Sequence, residues 1–188
     1  GEFEQAQKPY IYFYGTNRYV MVPIEASVQN TNLLISFNKN NEIIGFSFEE
    51  YKKGPSEDST KMPEGIVEEE FAFYSDGHVI PGTLTTPTGQ ESYPLVILVH
   101  GWGPVDRDSS IFQNKPFRDL AWGLAESGVA TYRYDKRTYL NEEVIKNPNF
   151  TVYDETIRDA VAAMDMAKEL RDVDPNRVYI LGHSQGGY

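Results

Sequence analysis

The chain has 188 residues, 40% hydrophobic and 24% charged, a length that suits one large domain or a medium domain with a small one. Its formal net charge of -11, with no basic patch to offset it, excludes nucleic acid as a partner, because a polyanion is repelled. No apolar run approaches the roughly 18 residues of a membrane span, and the absence of cysteine excludes disulfides, thiolate metal sites and a cysteine nucleophile.

Gly1 to Glu4 have neither the basic nor the apolar region of a leader, although one removed by processing would leave no record. Residues 10–14, 18–28, 32–37 and 43–48 are rich in aromatic and β-branched side chains and are separated by polar turn residues. This predicts four strands in an antiparallel meander. Their aromatic side chains read as the packed face of a small sheet, with a ligand platform as the other possibility. Residues 53–64 are polar and rich in breakers, and read as a linker. It divides a small β-rich domain at 1–52 from a larger domain at 65–188.

In the larger domain, residues 67–74 and 79–85 flank Ser75, Asp76, Gly77 and His78, a hairpin with its turn on Asp-Gly. Glu68, Glu69 and Glu70 read as the solvated face of an edge strand rather than an acidic site. His78 reads as a turn residue. Residues 94–99 form a continuous apolar run, as expected of a strand buried on both faces of a parallel sheet. The loop HGWGPVDRD follows at 100–108. A strand ending in H-G-x-G can turn a main-chain N–H, here that of Trp102, toward a reacting carbonyl; it can equally be a loop whose glycines serve packing. Arg107 between Asp106 and Asp108 reads as an ion-pair clasp, the guanidinium binding either aspartate.

Apolar positions 117, 120, 121, 124 and 125 have helical spacing, and Gly128 suits the end of that helix. Residues 129–134 are the next strand and 141–150 a loop. Residues 154–170 form a second helix with Ile157, Ala160, Val161, Met164, Ala167 and Leu170 on one face. After a turn at 172–177, residues 178–181 form a last strand. This alternation predicts a parallel α/β sheet with right-handed crossovers.

Gly182-His183-Ser184-Gln185-Gly186 follows the last strand at once. In this G-x-S-x-G pattern the glycines are needed because the turn is so tight that a Cβ at either position collides with its neighbours. The pattern also occurs as a glycine-rich turn of no consequence, and its context decides. Two loops at carboxyl ends of parallel strands carry complementary halves of one mechanism. The expectation is that Ser184 Oγ attacks an acyl carbonyl while the N–H groups of Trp102 and Gln185 hold the oxyanion, at roughly 3 to 4 kcal/mol per donor. The three histidines lack metal-ligand spacing, and neither a metal nor a cofactor is expected.

Taken together, HGWGPVDRD, YRYDKR and DPNRVYILGHSQGGY resemble the bacterial α/β-hydrolase esterases of the HGxGPxDRD type and, more distantly, the prolyl-oligopeptidase catalytic domain. The resemblance covers residues 65–188. It implies the N-terminal half of an α/β-hydrolase core, with Ser184 as nucleophile, Trp102 and Gln185 as main-chain donors, and carboxylester hydrolysis of small or medium acyl substrates without a cofactor. It also implies that Asp106, Arg107, Asp108, Asp135, Lys136 and Arg137 are structural. Some members carry a small N-terminal α+β domain, whose later strands residues 9–50 resemble, and such relatives are often exported.

One departure matters. In this family an acid and then a histidine follow the serine, whereas only four residues follow Ser184. His183 lies beside the nucleophile on a strained turn and His100 belongs to the oxyanion loop, so neither is placed to take its proton. The expectation is a portion of a longer protein, inactive by itself, whose last strand is an exposed apolar edge. Two other readings stay open: a serine peptidase of the prolyl-oligopeptidase kind, which calls for an upstream propeller, and a non-catalytic module that binds acyl ligands, against which the strained elbow argues.

Overall fold

The computed structural model describes residues 3–6, 9–14, 17–26, 29–51, 61–111 and 114–188. They form two compact units, Gly1–Lys61 with Ser110–Asn114, and Met62–Ser109 with Lys115–Tyr188. No helix among the described residues is long and apolar enough to cross a membrane.

The first unit is a five-stranded antiparallel sheet: β1 (Phe3–Ala6), β2 (Tyr10–Tyr14), β3 (Asn17–Ala26), β4 (Thr31–Phe37) and β5 (Ile43–Glu50). Strands β2 to β5 form the meander that the sequence predicts. β1 is an addition, pairing with the end of β3 that β2 leaves free. Its four residues, Phe3, Glu4, Gln5 and Ala6, are too few and too polar to give a strand pattern. Register aligns Val20 with Ile35 and Phe46, and Val22 with Leu33 and Phe48. The aromatic residues of this face are not packed as expected. Phe46 is 74% and Phe48 67% exposed, so on β5 these side chains are left uncovered. Residues 53–60 of the expected linker lie outside the described residues.

The second unit is built on a mixed sheet. The hairpin of β6 (Ile66–Ser75) and β7 (His78–Pro87) turns on Asp76 and Gly77, with φ of 50° and 77°. Both central residues of such a turn need the left-handed region, which Asp-Gly supplies. β8 (Tyr93–Val99), β9 (Ala130–Tyr134) and β10 (Val173–Gly182) complete the sheet in the order β10-β8-β9-β7-β6. β8 pairs in parallel with β9 and β10, while β7 is antiparallel to β9. β10 begins earlier than expected: Val173 already pairs with Tyr93, and a bulge carries the 174–177 turn before pairing resumes at Val178.

The apolar run of β8 serves two layers. Leu95, Ile97 and Val99 join Phe73, Ile80, Tyr132 and Tyr134 in the main core. Leu98 packs with Phe117 and Ala121 of α1 (Pro116–Glu126) in a smaller one. α2 (Arg137–Leu140) is a single turn within the stretch joining β9 to the next helix. A π-turn at Tyr153–Ile157 leads into α3 (Arg158–Lys168), which lays Ala160, Ala163 and Ala167 on the main core.

Of the expected face, Ala160, Met164, Ala167 and Leu170 pack on the main core, and the buried stripe also takes in Glu155, Thr156, Asp159 and Ala163. The expected face included Ile157 and Val161, and both are exposed. The wider π-turn changes the phase of the residues before α3, and paired acids occupy inward positions that an apolar count assigns to solvent.

Candidate active site

β8 and β10 are adjacent and parallel, so their carboxyl ends deliver two loops to one place. Gly182 pairs with Val99, and the His183 N–H donates to the Val99 carbonyl at 2.9 Å. Beyond this point β10 breaks sharply. Ser184 has φ of 54°, a left-handed conformation that costs a non-glycine residue energy and marks a held strain. A short 3-10 turn, Ser184–Gly187, follows.

The framing glycines are required by backbone contacts. A Cβ on Gly182 would lie 1.9 Å from the Gly186 carbonyl oxygen, and one on Gly186 would lie 2.3 Å from the Val99 oxygen. The apex reaches the neighbouring loop as well, since a Cβ on Gly101 would lie 3.2 Å from Ser184 Cβ. The structure therefore brings Ser184 and its following residue Gln185 together with the loop that carries Trp102. Ser184 is exposed, and the Trp102 side chain is 77% exposed.

Beneath this surface the H-G-x-G loop is fastened by buried groups. Lys136 Nζ donates to the Gly101 carbonyl at 2.5 Å and to Glu155 Oε1 at 2.7 Å. The Gly103 N–H donates to the same Glu155 oxygen at 3.0 Å, and Thr138 Oγ1 donates to the Gly103 carbonyl at 3.1 Å. Gln185 Nε2 reaches Glu155 Oε2 at 3.4 Å. Burial pulls the Lys136 ammonium below the usual lysine range, against the opposing pull of Glu155.

His100 points away from the apex. Its Nε2 bonds the Tyr134 carbonyl at 2.6 Å, its ring stacks on Phe117, and burial lowers its pKa to about 4. It is therefore a neutral, buried anchor near pH 7. His183 is exposed on the elbow, and His78 is exposed at the hairpin turn, its Nδ1 2.8 Å from the Asp76 carbonyl oxygen. Among the described residues, no three histidine, cysteine or carboxylate side chains gather where they could hold a metal ion.

Arg107 does not clasp either sequence neighbour. Its Nε and Nη2 make a two-pronged bond to Asp135 at 3.1 and 2.8 Å, and its Nη1 reaches Glu70 at 2.5 Å. Hydrogen bonding to Asp135 raises its pKa. Asp108 instead binds Lys115 at 2.8 Å, with Arg133 Nε 3.6 Å away. Side chains of consecutive residues in the 106–109 turn diverge, whereas Asp135 stands at the end of β9 in the guanidinium's path. Glu68 binds Arg133 and the Trp122 indole N–H. The edge-strand acids thus lie partly within an ion-pair layer rather than wholly in solvent.

Sequence reasoning missed Glu155 altogether. Its signal was an acid at a helix start with the spacing of Asp159, which itself pairs with Arg137.

No family model matches the chain. In sequence it is 37% identical over 154 residues to Esterase EstD of Thermotoga maritima, an alignment covering 81% of this chain and 35% of that protein. The chain thus spans about a third of the length of that curated relative. In structure it is similar to esterase Est22, with a TM-score of 0.52 at 21% identity over 66% of this chain and 37% of the other. It is likewise similar to brefeldin A esterase, a bacterial homologue of human hormone-sensitive lipase, with a TM-score of 0.51 at 20% identity over 68% and 34%. At these identities the structural likeness speaks to fold alone.

Proposed function

We propose that this chain, which has the α/β-hydrolase fold, carries the nucleophile and oxyanion hole of a serine carboxylester hydrolase. Ser184 Oγ gives its proton to a base and attacks the acyl carbonyl, and the N–H groups of Trp102 and Gln185 receive the charge that develops on its oxygen; the ester C–O bond then breaks, the alcohol leaves with that proton, and water hydrolyses the acyl-enzyme to the carboxylic acid and free serine. The observation that carries this reading is the strained, exposed Ser184, with Gly101 of the H-G-x-G loop against its Cβ. A glycine turn without a role has no need of left-handed backbone at a serine.

The general base is not His100, which is buried and bonded to Tyr134. We read the acid and the base as supplied by the part of the protein outside these residues. Its substrates are carboxylic esters, a reading that the similarity to Esterase EstD supports; their small or medium acyl size is what the family resemblance implies. Residues 65–188 are the catalytic portion, residues 1–52 a separate β-rich domain, and residues 53–64 the link between them.

Labelling the full-length protein with a fluorophosphonate and assaying p-nitrophenyl esters tests this. Ser184→Ala is expected to abolish both labelling and turnover. Unchanged turnover in that variant would end the assignment.

A further inference from the structure

The peptide group that bears the Trp102 N–H also bears the Gly101 carbonyl. A trans amide is planar and its C=O and N–H point in opposite directions, so whatever holds that oxygen aims that N–H. Lys136 Nζ holds it, at 2.5 Å. The next peptide group, on the other side of the Trp102 Cα, bears the Gly103 N–H, and Glu155 Oε1 holds that one at 3.0 Å. Lys136 and Glu155 are themselves paired at 2.7 Å, and only 1% and 7% exposed. Both amide planes flanking Trp102 are therefore fixed by a single buried ion pair. The other carboxylate oxygen of Glu155 extends the same support to the Gln185 side chain on the elbow.

We propose that Lys136 and Glu155 are positioning residues for the oxyanion hole: together they set the direction of the Trp102 N–H, and Lys136 strengthens it as a donor through the peptide group they share. A cation on an amide oxygen draws electron density from the nitrogen, and hydrogen bonds in series reinforce one another. Neither side chain touches the substrate. A buried ion pair is a weak stabiliser next to an apolar pair of similar volume, so stability alone is a poor account of this one. What the two charges hold is a better one. The inference rests on the reading of Ser184 as nucleophile and adds Lys136, which the resemblance left as structural, and Glu155, which it did not include.

The test compares Lys136→Met, Glu155→Gln and the double variant in the full-length protein, with Ser184→Ala alongside. Lys136→Met is expected to lower kcat about 100-fold, the usual cost of a misplaced catalytic group, with KM within about threefold. It also lowers Tm, since Glu155 is left buried without its counter-charge. The double variant removes both charges. It is expected to regain Tm while kcat stays at least about tenfold down, and to bind a boronic acid transition-state analogue correspondingly more weakly. Return of kcat along with Tm would reduce the pair to a structural element, as would wild-type kcat in Lys136→Met. If a single variant fails to fold, the double variant decides. Ser184→Ala separates the two claims: activity surviving that change sinks the nucleophile, whereas activity lost there but insensitive to Lys136 and Glu155 sinks only the positioning.

Discussion

At the scale of single residues, the elbow and its loop are decided by contacts too close for substitution and by one histidine that burial keeps neutral. Gly186→Ala places a methyl 2.3 Å from the Val99 oxygen, a backbone atom of the interior strand β8 that cannot step aside. Urea unfolding should register a loss of about 3 kcal/mol, and ester turnover should vanish. Little change in either would mean that the elbow is looser than its geometry. His100 makes a separate prediction about acid. Burial holds its folded pKa at about 4, below the ordinary 6.5. Between these values the unfolded chain takes up a proton that the folded chain refuses. The associated stability is complete above pH 6.5 and is lost as pH falls toward 4, about 3 kcal/mol in all. His100→Gln, which keeps a donor for the Tyr134 carbonyl, should lose correspondingly less over that interval. Parallel pH profiles for the two proteins would show that His100 is not held neutral by the fold.

At the scale of elements, what could be read from sequence follows from which physical signal each segment carries. The β6–β7 hairpin was legible because Asp76-Gly77 is a local demand for left-handed backbone, independent of anything distant. β8 was legible because a strand buried on both faces has no polar position to confuse the pattern. The elbow was legible because glycine is needed where backbones meet, and the H-G-x-G loop because Gly103 takes left-handed backbone, with φ of 91°. The second helix was placed with most of its inward face, but its acidic positions were missed, since Glu155 and Asp159 also point inward and a carboxylate goes inside only when a cation from another element meets it. Lys136 and Arg137, which meet them, lie about twenty residues earlier just after β9, and nothing in the local pattern of either segment announces the partner. Arg107 misled for the converse reason. Two aspartates beside it in sequence suggested a local clasp, but the side chain runs to Asp135 and Glu70 across the sheet. The aromatic residues of β5 show a further limit: their spacing gives the strand correctly, yet whether a face is covered depends on what lies over it.

At the scale of the whole sheet of the larger unit, the two edges are protected very differently. The β6 edge carries Glu68, Glu69 and Glu70, charges that discourage another strand from pairing. The β10 edge carries Tyr179, Ile180 and Leu181, all exposed. Beside it Ile157, Ala160 and Val161 of the π-turn and α3 share an open groove of about 360 Å³ with Ile180. Unpaired backbone flanked by apolar side chains is the combination that recruits further strands, whether from the same protein or from other molecules. A preparation of these 188 residues should therefore self-associate in a concentration-dependent way, despite the net charge of -11. Ile180→Lys adds a charge at the middle of the exposed edge, where strand-to-strand docking must bury it, while the folded unit leaves that side chain in water at 45% exposure. Size-exclusion chromatography with light scattering is expected to show the variant shifted toward monomer with little change in Tm. If the variant associates as strongly as the parent chain, this edge is not what holds the copies together, and the exposed apolar face of β5 becomes the next surface to test in the same way.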